Sequence, residues 1–149
     1  MYSLAVLHDG RLASGSREGT VRLWDLPSRT CTKVLQHDNL VSSLAVLADG
    51  RLASGCWDNK IYLWNVTSGV REALLEGHTN PVRSLAVLPQ GLLASGSDDN
   101  SVRVWNIASL TCVAVLTGHT DGVLALAAFP DGRLASGDDD GNIRVWELK

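Results

Sequence analysis

The chain has no excess of positive charge: 13 Lys and Arg stand against 16 Asp and Glu in 149 residues, a formal net charge of -3. Without a basic stripe, the electrostatic footprint that nucleic acid demands is missing. No apolar run approaches the length of a bilayer span. The opening Met1-Tyr2-Ser3-Leu4 has neither the basic region nor the apolar stretch of a secretory signal. These absences predict a cytoplasmic or nuclear protein that binds neither nucleic acid nor membrane. Cysteine is scarce as well. Cys31, Cys56 and Cys112 include no Cys-x-x-Cys pair, and an odd count is poor material for a disulfide framework or a metal site. They are expected to be small buried side chains.

What is present is one pattern written four times. Leu12-Ala13-Ser14-Gly15 recurs as Leu52-Ala53-Ser54-Gly55, Leu93-Ala94-Ser95-Gly96 and Leu134-Ala135-Ser136-Gly137, at offsets of 40, 41 and 41. Trp24, Trp64, Trp105 and Trp146 keep the same step. Self-similarity at a period of about 40 to 45 marks propeller blades, in which each unit buries its faces only against its neighbours. The repeats fall near 1–37, 38–78, 79–119 and 120–149, one repeat domain over the whole chain.

The third repeat shows the local logic. Val82 to Leu88 is a short apolar-rich strand ending at Pro89-Gln90-Gly91, a turn by composition. Leu92 to Ser97 follows, then Val102 to Ile107 alternates as a strand should, and Cys112 to Leu116 is the fourth. Glu18-Gly19, Asp58-Asn59, Asp99-Asn100 and Asp140-Gly141 read as tight hairpins, where Asn and Gly accept positive φ. Four short antiparallel strands per period predict an all-β fold of four propeller blades, the last lacking its fourth strand.

Each of the last three repeats also brings together a Ser, a His, an acid and a Trp, which invites a hydrolase reading. A nucleophile needs an open cleft, an oxyanion hole and one privileged copy, whereas here the set recurs like a rivet. Asp138-Asp139-Asp140 lacks the spaced oxygen ligands of a calcium loop. No catalytic residue, metal or cofactor is expected.

The sequence resembles the WD40 repeat family over essentially its whole length. The resemblance rests on Gly77-His78 and Gly118-His119, the Leu-Ala-Ser-Gly strands, the turn acids and the strand-three tryptophans, although only Trp24-Asp25 is the literal signature. It implies buried hydrogen-bonded tetrads: His37, Ser54, Asp58 and Trp64; His78, Ser95, Asp99 and Trp105; His119, Ser136, Asp140 and Trp146. The first repeat has only Ser14, Glu18 and Trp24. At the first junction Gln36-His37 stands where Gly77-His78 and Gly118-His119 stand later, so that corner lacks its Gly. Arg22, Tyr62, Arg103 and Arg144 share another slot, expected to be a solvated strand face.

The resemblance further implies a partner-binding top rim. Its positions here are Leu40, Ser42 and Trp57; Pro81, Arg83 and Asp98; Gly122, Leu124 and Asp139; and Tyr2 and Arg17 from the first repeat. Trp57 stands out as the one tryptophan away from strand three, since aromatic and Arg anchors dominate binding hot spots. With Arg83 and Tyr2 it is expected to form an aromatic and cationic patch for an acidic or aromatic peptide; the alternative is that it packs over its own hairpin. Family rings generally need about seven blades, so four would leave apolar flanks at both ends, and such flanks drive association. The chain is therefore expected to be a piece of a longer propeller or a protomer that completes a ring with another copy. The function expected is a non-catalytic interaction scaffold holding a protein or peptide; the alternative is a regulatory or targeting domain of a larger enzyme, such as a ubiquitin ligase or kinase-linked protein.

Overall fold

The computed structural model describes residues 1–148. Its regular elements are fifteen strands in four antiparallel sheets, and among the described residues no helix is long and apolar enough to cross a membrane. Blade one is β1 (Ser3–Val6), β2 (Leu12–Gly15), β3 (Thr20–Asp25) and β4 (Thr30–Gln36). Blade two is β5 (Val41–Val46), β6 (Leu52–Cys56), β7 (Ile61–Asn65) and β8 (Val70–Leu75). Blade three is β9 (Val82–Leu88), β10 (Leu92–Ser97), β11 (Val102–Asn106) and β12 (Thr111–Leu116). Blade four has three strands, β13 (Val123–Ala128), β14 (Leu134–Asp138) and β15 (Ile143–Trp146).

Each sheet is a meander in chain order. The hairpin residues Gly19, Asn59, Asn100 and Gly141 all have positive φ, the conformation that a tight turn requires and that Gly and Asn tolerate. Residues directly opposite in the ladder share a face: Leu12 faces Trp24, Ala13 faces Leu23 and Gly15 faces Val21. The repeated tetrapeptide therefore points Leu and Ser one way and Ala and Gly the other.

The core lies in three seams between blades. Ala13, Val21, Leu23 and Leu35 of blade one receive Leu44, Leu52 and Trp64 of blade two. Ala53, Ile61, Leu63 and Leu75 then receive Leu93 and Trp105, and Ala94, Val102 and Val104 receive Leu134 and Trp146. The motif's Gly clears the next blade's first strand. A Cβ on Gly15, Gly55 or Gly96 would stand 2.9, 2.8 or 2.7 Å from the Cγ1 of Val41, Val82 or Val123.

Candidate functional site

In blade three, Trp105 Nε1 donates to Ser95 Oγ at 2.8 Å, and His78 Nε2 lies 2.7 Å from the same oxygen. His78 Nδ1 lies 2.7 Å from Asp99 Oδ2. Burial opposes ionisation of Asp99, but hydrogen bonds from His78 and Ser101 outweigh it and hold the carboxyl below its usual range. An ionised carboxylate only accepts, so Nδ1 carries the proton. For the neutral ring, Nε2 then accepts from Ser95. The chain of donors runs from the strand-three indole to the turn acid and ties the inter-blade loop to the sheet.

Blade two has the same Ser and Trp but a different end. Trp64 Nε1 is shared between Ser54 Oγ at 3.1 Å and His37 Nε2 at 3.2 Å, and His37 Nε2 lies 2.7 Å from Ser54 Oγ. His37 Nδ1, however, meets the Leu35 carbonyl at 3.2 Å. Asp58, expected in this tetrad, instead accepts from the Tyr62 hydroxyl at 2.5 Å and from the Lys60 amide at 3.1 Å. Burial with no carboxylate in hydrogen-bond contact lowers the His37 pKa to about 4. Burial, then the bond to Asp58, raises that of Tyr62.

Two coupled exchanges account for the difference. Gly77 and Gly118 have positive φ, and a Cβ there would meet Arg103 at 2.9 Å or Arg144 at 3.1 Å. Blade two has Gln36 at the glycine position and Tyr62 at the arginine position. Tyr62 is buried, with its ring centroid 4.6 Å from that of His37. It occupies the acid that would otherwise face the imidazole. The expected solvated row is thus corrected: Tyr62 is core, Arg103 is half-buried, and only Arg22 and Arg144 are exposed.

Blade four corrects another assignment. His119 Nδ1 meets Asp138 at 2.7 Å, not Asp140, which is exposed. Asp138 ends β14 at the slot of Ser97, and its second oxygen accepts from the Asn142 amide at 2.8 Å. A carboxylate at the strand end reaches the imidazole before the turn begins. Burial opposes its ionisation, but the bonds from His119 and Asn142 hold its pKa down. His119 Nε2 and Trp146 Nε1 close on Ser136 Oγ at 2.6 and 2.8 Å. In blade one, Trp24 Nε1 donates to Ser14 Oγ at 2.9 Å, and Glu18 is exposed. Ser54, Ser95 and Ser136 are buried with their hydroxyls engaged from two sides. Such hydroxyls are closed to substrate. The cysteines differ by position: Cys56 is buried, Cys112 half-buried and Cys31 exposed. Cys31 pairs with Trp24 in the ladder, on the face of blade one that no other blade covers.

On the top rim, a backbone bond joins the two loops in each of blades two, three and four. The Trp57 amide donates to Leu40 at 2.9 Å, Asp98 to Pro81 at 3.0 Å and Asp139 to Gly122 at 3.0 Å. The side chains diverge. Leu40, only 5% exposed, is packed inward and is not a recognition residue. Gly122 is a clearance, because a Cβ there would meet Asp98 Oδ1 at 2.7 Å. Ser42 donates to the Gly55 carbonyl at 3.1 Å and is also bonded to that of Val82, linking blades two and three. Pro81 and Leu124 are half-buried, and Arg17 and Asp139 are exposed.

Three residues make a joined feature. Trp57 is 39% exposed, and the Arg83 guanidinium of the next blade lies over its ring at 5.4 Å. Arg83 is paired with Asp98 at 3.0 Å. A guanidinium held between an indole face and a carboxylate keeps both at the surface in fixed positions. Tyr2 is exposed at the blade-one end and makes no ring contact with Trp57 among the described residues.

The family model described as "WD domain, G-beta repeat" matches residues 1–25, 29–65, 69–106 and 110–147. The chain belongs to the WD40 family, whose propellers generally bind proteins and are generally not enzymes. Each of the later matched stretches begins with the outer strand of one blade and ends with the third strand of the next, so every full sequence repeat bridges a seam. Among solved structures, the chain is similar to "Structure of U3-55K" and to "Crystal structure of RRP9 WD40 repeats", each with a TM-score of 0.90 and 30% identity over 98% of this chain. It spans about half the length of each, 48% and 47%. It is also similar to "Crystal structure of the computationally designed Ika4 protein", with a TM-score of 0.88 and 28% identity over 99% of this chain and 90% of that one. Comparison with curated proteins returns no match.

Proposed function

We propose that this chain is a non-catalytic interaction module that holds a protein or peptide on the top rim where blades two and three meet. The observation that carries the reading is the exposed Trp57 ring under Arg83, with Arg83 anchored on Asp98. An indole fixed at the surface offers a large apolar contact that loses little entropy on binding, the character of an interface anchor. Since Asp98 already neutralises much of the Arg83 charge, an aromatic or apolar side chain stacking on Trp57 is favoured over a strongly acidic peptide.

Proteins retained by immobilised wild type and by Trp57→Ala are compared by quantitative mass spectrometry. At least one protein bound by the wild type is expected to weaken by about 30-fold, the equivalent of about 2 kcal/mol, while Trp57→Ala keeps the wild-type unfolding midpoint within a few degrees. Identical retention by the two proteins would remove Trp57 from the site.

A further inference from the structure

The Trp57 anchor continues into a strip of the rim that is unbalanced in charge. Trp57 lies under Arg83, Arg83 is clamped on Asp98, and a Cβ on Gly122 would stand 2.7 Å from Asp98 Oδ1. The strip therefore runs unbroken from the turn of blade two, across blade three, to the loop that opens blade four, and both seams it crosses lie inside the chain. At its far end Asp121 is exposed, its Oδ1 accepts from the Gly122 amide at 2.7 Å, and no Lys or Arg pairs with it among the described residues. The tetrad carboxylates of the same two blades lie close by: Asp99 follows Asp98 in its turn, and Asp138 stands opposite Val123 in the ladder. Both are held ionised. Four carboxylates thus stand against the one guanidinium of Arg83, because Arg103 and Arg144 are packed instead against Gly77 and Gly118. Lys60, in the Trp57 turn, is matched by Glu76 at 3.5 Å. The opposite rim has no such excess: Asp9, Asp49 and Asp131 are each paired with the Arg two residues on, at 2.8, 2.8 and 2.9 Å.

Resting on the reading of Trp57 as the anchor, we propose that the partner held on this rim is a basic segment of another protein: an aromatic or large apolar side chain stacks on Trp57, and a lysine or arginine a few residues along reaches Asp121 at the blade-four end. An acidic segment would meet four carboxylates and a guanidinium already engaged by one of them, and like charges set against each other across an interface exclude a partner. A basic segment is attracted on approach and at the contact. Toward blade one the rim has no comparable path, since Leu40 is buried, Ser42 is tied to backbone carbonyls and the next exposed charge is the cation of Arg17. The carboxylates suit a side chain better than a metal ion. Among the described residues no three His, Cys, Asp or Glu are grouped to hold such an ion, whereas a cation on a flexible stem can reach a single carboxylate.

The full chain, Trp57→Ala and Asp121→Asn are each screened against a displayed library of random dodecapeptides, and selected peptides are synthesised and titrated by fluorescence anisotropy at low and high salt. The wild type is expected to select peptides that join an aromatic or large apolar residue to a Lys or Arg, with affinity falling as salt rises. For such a peptide Trp57→Ala is expected to weaken binding about 30-fold, and Asp121→Asn about threefold, the size of a partly exposed ion pair. Replacing the peptide's Lys or Arg by Gln should weaken binding about threefold to the wild type and hardly at all to Asp121→Asn. Peptides that depend on Trp57 but carry no excess of Lys and Arg, or that bind Asp121→Asn as tightly as the wild type, would overturn the inference and leave the Trp57 site standing. A screen in which no peptide depends on Trp57 would remove that site, and the inference with it. Asn keeps the acceptor for the Gly122 amide, and circular dichroism reports whether each variant is folded; Asp121→Ser, which also keeps an acceptor there, replaces Asp121→Asn if it is not.

Discussion

The corners at His37 and His78 occupy the same place in successive blades and share a His, a Ser and a Trp, yet only the second ends on a carboxylate. The residues that decide this are not in the tetrad. Gln36 and Tyr62 stand where blade three has Gly77 and Arg103, and Tyr62 takes Asp58 for itself. The constant Ser and Trp define the frame, while an acid joins it only where its neighbours leave it free. Blade four adds that the acid's own position is adjustable, since Asp138 replaces the turn residue.

The harshest change tests what the two corners share. Trp64→Ala and Trp105→Ala each empty a seam as well as a hydrogen bond, and each is expected to cost about 3–5 kcal/mol in urea unfolding. A loss below about 1 kcal/mol from either would mean that the seams are not the core.

Removing the imidazole separates the corners. His78→Ala leaves the Asp99 carboxylate, almost wholly enclosed, without its partner, whereas His37→Ala breaks bonds only to neutral groups. His78→Ala is expected to be the more damaging by about 1–2 kcal/mol. Equal losses would erase the distinction.

Acid should act on blade two first. His37 titrates near 4 when folded and near 6.5 when unfolded. Between those values the unfolded chain binds the extra proton, so stability falls as pH drops from about 6.5 to about 4, by up to about 3 kcal/mol. Asp99 and Asp138 have lowered folded pKa values; their contribution is present above the ordinary carboxylate range and is lost only below it. Imidazole titration followed by NMR checks the order: a His37 resonance with a midpoint near 6.5 would refute the first step.

Tyr62→Phe sharpens the cause. Without the phenol, Asp58 is free to approach the imidazole, so the His37 midpoint should rise, with a stability change of about 1 kcal/mol at neutral pH. An unmoved midpoint would show that the backbone at Gln36, and not competition for the acid, sets the corner. The smallest effect belongs to Asp140→Asn, expected within about 0.5 kcal/mol as an exposed substitution, against a clear loss for Asp138→Asn in the same assay.

Blade number, strand order and hairpin positions were all legible in the sequence. Leu-Ala-Ser-Gly, Trp and the turn dipeptides recur at nearly constant spacing, and each carries its own local preference for strand or positive φ. The matched pair of exchanges, Gly77 to Gln36 and Arg103 to Tyr62, was also present within the chain, and reading the two positions together would have flagged the altered corner. The destination of Asp58 was not legible, because a phenol on β7 and an imidazole in the inter-blade loop compete for it. Nor was the rim: equal spacing placed Leu40, Ser42, Trp57 and Gly122 together, but packing turned Leu40 inward, bound Ser42 to the next blade, kept Gly122 as clearance and left Trp57 outside.

The sequence by itself determined the repeat, the four sheets and which residues alternate toward each face, because strand period and turn chemistry act over a few neighbouring residues. Only the tertiary structure decided which carboxylate each histidine meets, which rim side chains reach solvent and which apolar faces are sealed. Those outcomes depend on groups 19 to 40 residues apart reaching one another, on competition for the same space and the same hydrogen bonds, and on the presence or absence of a neighbouring blade.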